Sequence, residues 1–484
     1  MDKRTFKPPK KDKKNKDEFQ PGTAVALDCN VDPAGVCTPT NPDNVTVIGD
    51  TPVALAPATF QRNLVMIMDY SACGLAPGLD DSTIRPIFLG PDGDGAGGVA
   101  QKYTQCSYGM FNLNATAFRT LNVPQNCSTA VTRDCSWWTI SNGADTAAKA
   151  MLGEAVFSSF THYAYILPPG LASRCFWAGL ALLPGNQIWL QTSSYGVYRW
   201  ATVMQEALHN YGLWHSWRNG IEYEDYSTAM GRGDACPNAA ETSRMGWSSP
   251  APGGDAIDSS VLTRPGAVLS FILPATYLTG NGNYLRVLPD WLPGYTNITL
   301  GKNLYIDFRV AQGADSGLSI TYAPRVNVHE VNATMDNGFP TTYTYGDRRI
   351  EIIRTVLSQV QTNLTAYNLV LYGGSYVGTD NLKVHLCRYT SSPSECPPLY
   401  VVEDFPSPPP PSPSPPNPPP PPQSPSPPPS PPPPSPRPPP SPKPPKPPSP
   451  PPRPRPPPRP PLPPRKPPSP PKPPSPPPPS PAPV

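Results

Sequence analysis

Residues 200–215 read Trp200-Ala201-Thr202-Val203-Met204-Gln205-Glu206-Ala207-Leu208-His209-Asn210-Tyr211-Gly212-Leu213-Trp214-His215. Trp200, Val203, Met204, Ala207, Leu208 and Tyr211 recur at helical spacing, which predicts an amphipathic helix over Val197–Tyr211, stopped by Gly212. Residues four apart share a helix face, so Gln205 and His209 can reach one ion with Glu206 beside them. Gly212 tolerates a backbone conformation that most residues resist, letting the chain turn and return His215 as a third ligand. A single histidine on such a helix is usually a core residue. Here the chain has only five histidines, and two of them fall at ligand spacing around Glu206 and Gly212.

The pattern resembles the metzincin signature H-E-x-x-H-x-x-G-x-x-H, with Gln205 where the first histidine is usual. That signature also has a methionine turn, placed here at Met230 in Ser227-Thr228-Ala229-Met230-Gly231, with Met245 as runner-up. Taken with the glutamine, the sequence is similar over about residues 60–400 to the gametolysin-like matrix metalloproteases of volvocine green algae, including Gly246-Trp247 after the turn. The resemblance implies a secreted metalloendopeptidase, a hydrolase of the extracellular matrix or cell wall that cleaves matrix glycoproteins. Its metal ligands would be Gln205, His209 and His215. An ion with three protein ligands acidifies a bound water, and Glu206 would act on that water as general base. Zinc is the expected metal. Because an amide oxygen is a weaker zinc ligand than imidazole, copper(II), at the top of the affinity order, is the alternative. The rival class is a non-enzymatic structural wall glycoprotein whose protease-like domain lost activity through Gln205.

Cysteines and sequons bear on the compartment. Ten cysteines spread from Cys29 to Cys396 without C-x-x-C pairs read as disulfides. Six N-x-S/T sequons, at Asn44, Asn114, Asn126, Asn297, Asn332 and Asn363, are candidate glycosylation sites of a secreted glycoprotein. Met1 to Gln20 holds no apolar signal-peptide core, so the reading is a misassigned or truncated start. No stretch of 18 or more apolar residues occurs, which excludes a transmembrane helix.

Charge and proline divide the chain further. The formal net charge of +3 combines four net positive charges in residues 1–20 and nine in the tail with −10 over residues 21–404. The expected organisation is a basic disordered segment over 1–20 and a loop-rich segment over 21–58. In the latter, Cys29 and Cys37 form a disulfide or mark the remnant of a pro-segment. A catalytic domain over 59–275 and a β-rich region over 276–402 follow. The fold class is α+β: a strand at Asn63–Asp69, a helix over Ala144–His162, a strand-like Trp177–Gln191, and alternating runs such as Leu304–Val310 and Tyr367–Tyr372. Most of the 80 prolines lie in the Ser/Pro-rich tail over 403–484. It reads as a polyproline II rod roughly 240 Å long at about 3.1 Å per residue. The tail resembles hydroxyproline-rich wall modules. Its spaced Lys and Arg suit acidic polysaccharide, whereas nucleic acid is improper to a secreted chain. His162, His329 and His385 read as structural, and Glu222, Glu224 and Asp225 as a solvated loop rather than a calcium site.

Overall fold

The computed structural model describes residues 58–338 and 348–404, and of the segment before them only the backbone of short strands between residues 5 and 49. Where 21–58 is expected to be loop-rich the chain forms the short strands Ala24–Leu27, Cys29–Val31, Val36–Pro39 and Val45–Gly49, while the side chains of Cys29 and Cys37, Asn44, most of residues 1–20 and the polyproline tail lie outside the described residues.

The architecture is α+β. Strands β1 (Asn63–Asp69), β2 (Arg119–Pro124), β3 (His162–Leu167), β4 (Gly179–Ala181) and β5 (Gln187–Gln191) form one sheet in the order β4-β5-β3-β1-β2. All its pairings are parallel except β4 with β5, so β4 is an antiparallel edge strand. The apolar run of β1 is continuous because both of its faces are covered. Leu64, Met66 and Met68 pack with Ile140, Ala144 and Ala148 of α3 (Trp137–Leu152). Val65 and Ile67 face the opposite cluster, which contains residues of α1 (Asp81–Leu89), α2 (Gly98–Cys106) and α4 (Trp200–His209).

Two expected elements are corrected. The helix placed at Ala144–His162 runs instead from Trp137 to Leu152. The Ser136 hydroxyl accepts the Thr139 N–H at 3.3 Å at its start, and Gly153, at φ +81, ends it. By His162 the chain is already strand β3. The strand-like Trp177–Gln191 is a pair of strands, β4 and β5, with a turn between them.

The second half is built on two further sheets. One has the order β7-β6-β12-β11-β10-β9, from β6 (Ser216–Arg218), β7 (Ile221–Glu222), β9 (Tyr284–Val287), β10 (Lys302–Arg309), β11 (Arg325–Asn332) and β12 (Ile350–Val356). The other has the order β8-β15-β14-β13, from β8 (Val268–Pro274), β13 (Val360–Leu364), β14 (Leu369–Tyr376) and β15 (Asn381–Arg388). Leu304, Ile306, Phe308, Val326 and Val328 of the first sheet share a core with Leu369, Leu371, Val384 and Leu386 of the second, a face-to-face packing. Strand β6, immediately after His215, pairs in parallel with β12, Ser216 opposite Ile350. Distant parts of the chain thus meet beside the last residue of the signature.

Four disulfides join Cys73 to Cys127, Cys106 to Cys236, Cys135 to Cys175 and Cys387 to Cys396. Among the described residues no helix is long and apolar enough to cross a membrane. Of the sequons, Asn126, Asn297 and Asn363 are exposed and Asn114 is half-buried. Asn332 is withdrawn as a glycan site. It is buried, its Oδ1 caps the helix that follows, and its Nδ2 donates to the Ile298 carbonyl at 2.9 Å.

Candidate metal centre

Helix α4 is buried from Ala201 to His209, and Met204, Ala207 and Leu208 lie in the core beneath the first sheet. Each fully buried side chain of the Leu or Met type contributes about 1.5–3 kcal/mol, so the helix that carries the site is fixed by packing. Its end follows from Gly212 at φ +91. The Gly212 N–H donates to the His209 carbonyl at 2.9 Å and the Leu213 N–H to the Leu208 carbonyl at 3.2 Å. The chain reverses there and brings His215 back.

The two histidines meet through Nε2, 3.0 Å apart. His209 Nδ1 lies 2.6 Å from the Leu213 carbonyl oxygen and His215 Nδ1 lies 2.7 Å from Glu222 Oε1. A carbonyl oxygen and a carboxylate only accept, so each Nδ1 donates outward and each ring turns its Nε2 toward the other. Burial, reinforced by the neighbouring His215, drives the His209 pKa down to about 3 despite the Leu213 carbonyl. Two ring nitrogens meet in this way when a proton or a metal ion lies between them. At the usual zinc–nitrogen length of about 2.0–2.1 Å, two ligands of a tetrahedral ion stand about 3.3 Å apart. The pair fits a metal.

Gln205 lies one helical turn before His209 and is buried. Among the described residues no group of three or more His, Cys, Asp or Glu side chains is arranged to hold a metal. The Gln205 side chain, on the same helix one turn away, carries an amide oxygen, a donor of another type. Glu206 is also buried, and burial pushes its pKa up to about 8. Gly179 of the edge strand β4 lies against it, and a Cβ at that position would come 2.6 Å from Glu206 Oε1.

Met230 is fully buried in the core that contains Met204, Ala207, Leu208 and Leu213, and Met245 lies in the same core. The Met230 N–H donates to Thr228 Oγ1 at 3.1 Å, and the Met230 carbonyl accepts the Ser216 N–H at 2.9 Å, tying this turn to the residue after His215. Arg199, before α4, pairs with Asp234 at 2.7 Å, and the Cys106–Cys236 disulfide fastens the same loop to α2.

Sequence reasoning missed Glu222 and its role. The expected solvated acidic loop is corrected, because its three acids diverge to separate partners. Glu222 holds His215, Glu224 pairs with Arg232 at 2.5 Å, and Asp225 is buried against His329 at 3.2 Å. The signal that could have found Glu222 is Asn219-Gly220. Both residues have positive φ, 52° and 72°, and this dipeptide favours a tight hairpin that folds β7 back onto β6. The remaining histidines have other settings: His162 stacks on Tyr211, and His385 lies between Ser270 and Glu403.

A buried helix bearing a carboxyl and a histidine, a glycine stop, a returning histidine and a methionine turn define the class of metal-dependent peptidases. The family profile described as gametolysin peptidase M11 matches residues 62–366, well over half of the chain. The chain belongs to the gametolysin peptidase M11 family. An autolysin of Chlamydomonas reinhardtii is 26% identical over 358 residues, with 56% of this chain and 56% of the autolysin covered. The chain thus spans little more than half the length of that relative. No solved structure matches.

Proposed function

We propose that this chain is a secreted metalloendopeptidase that hydrolyses peptide bonds of extracellular-matrix or cell-wall glycoproteins. Gln205, His209 and His215 hold the metal, with zinc ranked before copper, and Glu206 is the general base. The observation that carries this reading is the pair of imidazoles whose Nε2 atoms face each other at 3.0 Å, one turn from a buried carboxyl. When bound, a divalent ion supplies Lewis acidity to the scissile carbonyl.

The rest is the work of the chain. Glu206, held at high proton affinity by its burial, removes a proton from the attacking water and delivers it to the leaving amine. Strand β4 is the edge of its sheet and touches Glu206 through Gly179, so an extended substrate segment adds to that edge by backbone hydrogen bonds. The basic Ser/Pro-rich tail holds the enzyme in the matrix through acidic polysaccharide, an attraction that weakens with salt.

The test compares purified, metal-loaded protein with Glu206→Ala on peptides and wall glycoproteins. Activity in the parent that is lost in the variant supports the proposal, and equal activity in both sinks it. Metal uptake without hydrolysis by the parent favours an inactive structural wall glycoprotein.

A further inference from the structure

Strand β13 lies at one end of its sheet, and among the described residues its one partner is β14. The two run in unbroken register from Val360 opposite Gly373 to Leu364 opposite Leu369. The Gln359 N–H donates to the Gly374 carbonyl at 3.3 Å, so by the alternation of an antiparallel ladder Gln359, Gln361 and Asn363 bond inward to β14. The backbone groups of Val360, Thr362 and Leu364 therefore face outward along the edge. Val360 is 41% exposed and nearby Leu357 42%. Open backbone groups beside apolar side chains form a template on which a second strand can pair.

The other edges of the three sheets have a guard. β4 is three residues long and β7 two, β2 contains Arg119 and Pro124, β8 ends in Pro274, and β9 is bridged by Pro250 and Ile257. Strand β13, Val360-Gln361-Thr362-Asn363-Leu364, has no charge, no proline and no bulge. It holds the start of the sequon Asn363-Leu364-Thr365 instead. Asn363 and Thr365 are exposed, whereas Leu364 between them is buried in the core shared by the two sheets. Side chains alternate along a strand, so the Asn363 amide leaves the outer face.

We propose that Asn363 carries an N-linked oligosaccharide that guards the β13 edge against pairing with a second copy of the chain, an assignment that rests on the secretory part of the function proposed above. The donor is an oligosaccharide carried on a lipid diphosphate. The Asn363 Nδ2 bonds to the sugar C1 carbon, the bond from C1 to the phosphate oxygen breaks, and the lipid diphosphate leaves as Nδ2 gives up a proton. A pairing strand must settle about 4.8 Å beyond β13. A bulky, hydrated sugar chain rooted at Asn363 occupies that approach.

Peptide mapping of the native protein by mass spectrometry is expected to find the Asn363 peptide glycosylated. In protein from a secretory host, Thr365→Ala removes the acceptor signal and leaves Asn363 in place. Its weight-average mass by light scattering is expected to rise about twofold or more above that of the wild type at equal concentration. Adding Val360→Lys, a charge on the same edge, is expected to restore the wild-type mass. Asn126→Gln, which removes a sequon beside another sheet, is expected to leave the mass unchanged. A bare Asn363 in native protein that bears sugar at Asn126 or Asn297 overturns the assignment alone. Native protein without sugar at any sequon overturns it together with the secretory reading. A Thr365→Ala protein of wild-type mass, or one whose association survives Val360→Lys, overturns the guarding role.

Discussion

Glu222 accepts from His215 Nδ1 at 2.7 Å, and that bond decides which ring nitrogen is free. Outer partners of this kind fix the tautomer and orientation of a ligand, so Glu222→Ala is expected to weaken metal binding by about 10–100-fold. Competition against a graded series of chelators measures it, and unchanged affinity would remove Glu222 from the centre. Gly179 offers a second check. A Cβ there would sit 2.6 Å from Glu206 Oε1, and a displacement of about 1 Å at a catalytic group costs about 10²-fold in rate. Gly179→Ala is therefore expected to lower kcat by that order while the protein still binds metal. At this scale the meeting of His209 and His215 across Gly212, with Glu206 on the same helix, was legible, because all belong to one helix and its stop, where spacing in sequence is spacing in space. Glu222 and Gly179 were not. The first reaches the site through a tight hairpin, and the second crosses from an edge strand.

Among the elements, β1 was legible as a continuous apolar run. The helix before β3 was displaced because apolar spacing continues past Gly153, where the backbone breaks. The last described helix, α5 (Leu399–Asp404), shows what holds an element with little core of its own. Glu403 accepts from the Ser375 N–H and hydroxyl at 2.7 and 2.6 Å, and contacts His385 and Lys383, each at 3.2 Å. Burial works to raise the Glu403 carboxyl, yet the hydrogen bonds from Ser375, His385 and Lys383 outweigh it and bring the pKa down to about 2. An unfolded glutamate titrates near about 4.3. The carboxylate thus stabilises the fold fully above that pH, and the contribution fades as pH falls toward 2. Denaturant titrations between pH 5 and pH 2 are expected to show a loss in the wild type, on the order of 1–2 kcal/mol after solvent screening, that Glu403→Gln lacks. Parallel curves for the two proteins would refute the clamp.

For the molecule as a whole, the pairing of Ser216 with Ile350 couples the candidate centre to the C-terminal sheets. A chain ended at residue 275 loses β9 to β15, and with them the neighbour of β6. It is expected to bind no metal and to lack a cooperative melting transition. A folded, metal-binding 59–275 fragment would show that the centre stands without those sheets. The Cys106–Cys236 link, spanning 130 residues, adds up to about 5 kcal/mol in the chain-entropy description. Its reduction, or a Cys106→Ala/Cys236→Ala variant, is expected to lower stability by about 3–5 kcal/mol, read by denaturant midpoint. The β-rich character of this half was legible from alternation and turns. The partner of β6 was not, since no local pattern announces a pairing across 134 residues.

That same pairing sets an order of events during synthesis. When His215 leaves the ribosome the strand that will flank it does not yet exist, and 134 residues separate Ser216 from Ile350. At about 5–20 residues per second this interval lasts roughly 7–27 s. Throughout it the nascent chain carries both histidines and Glu206 without the strand that flanks them in the folded protein, so the candidate centre is completed only when almost all of the folded part has been made.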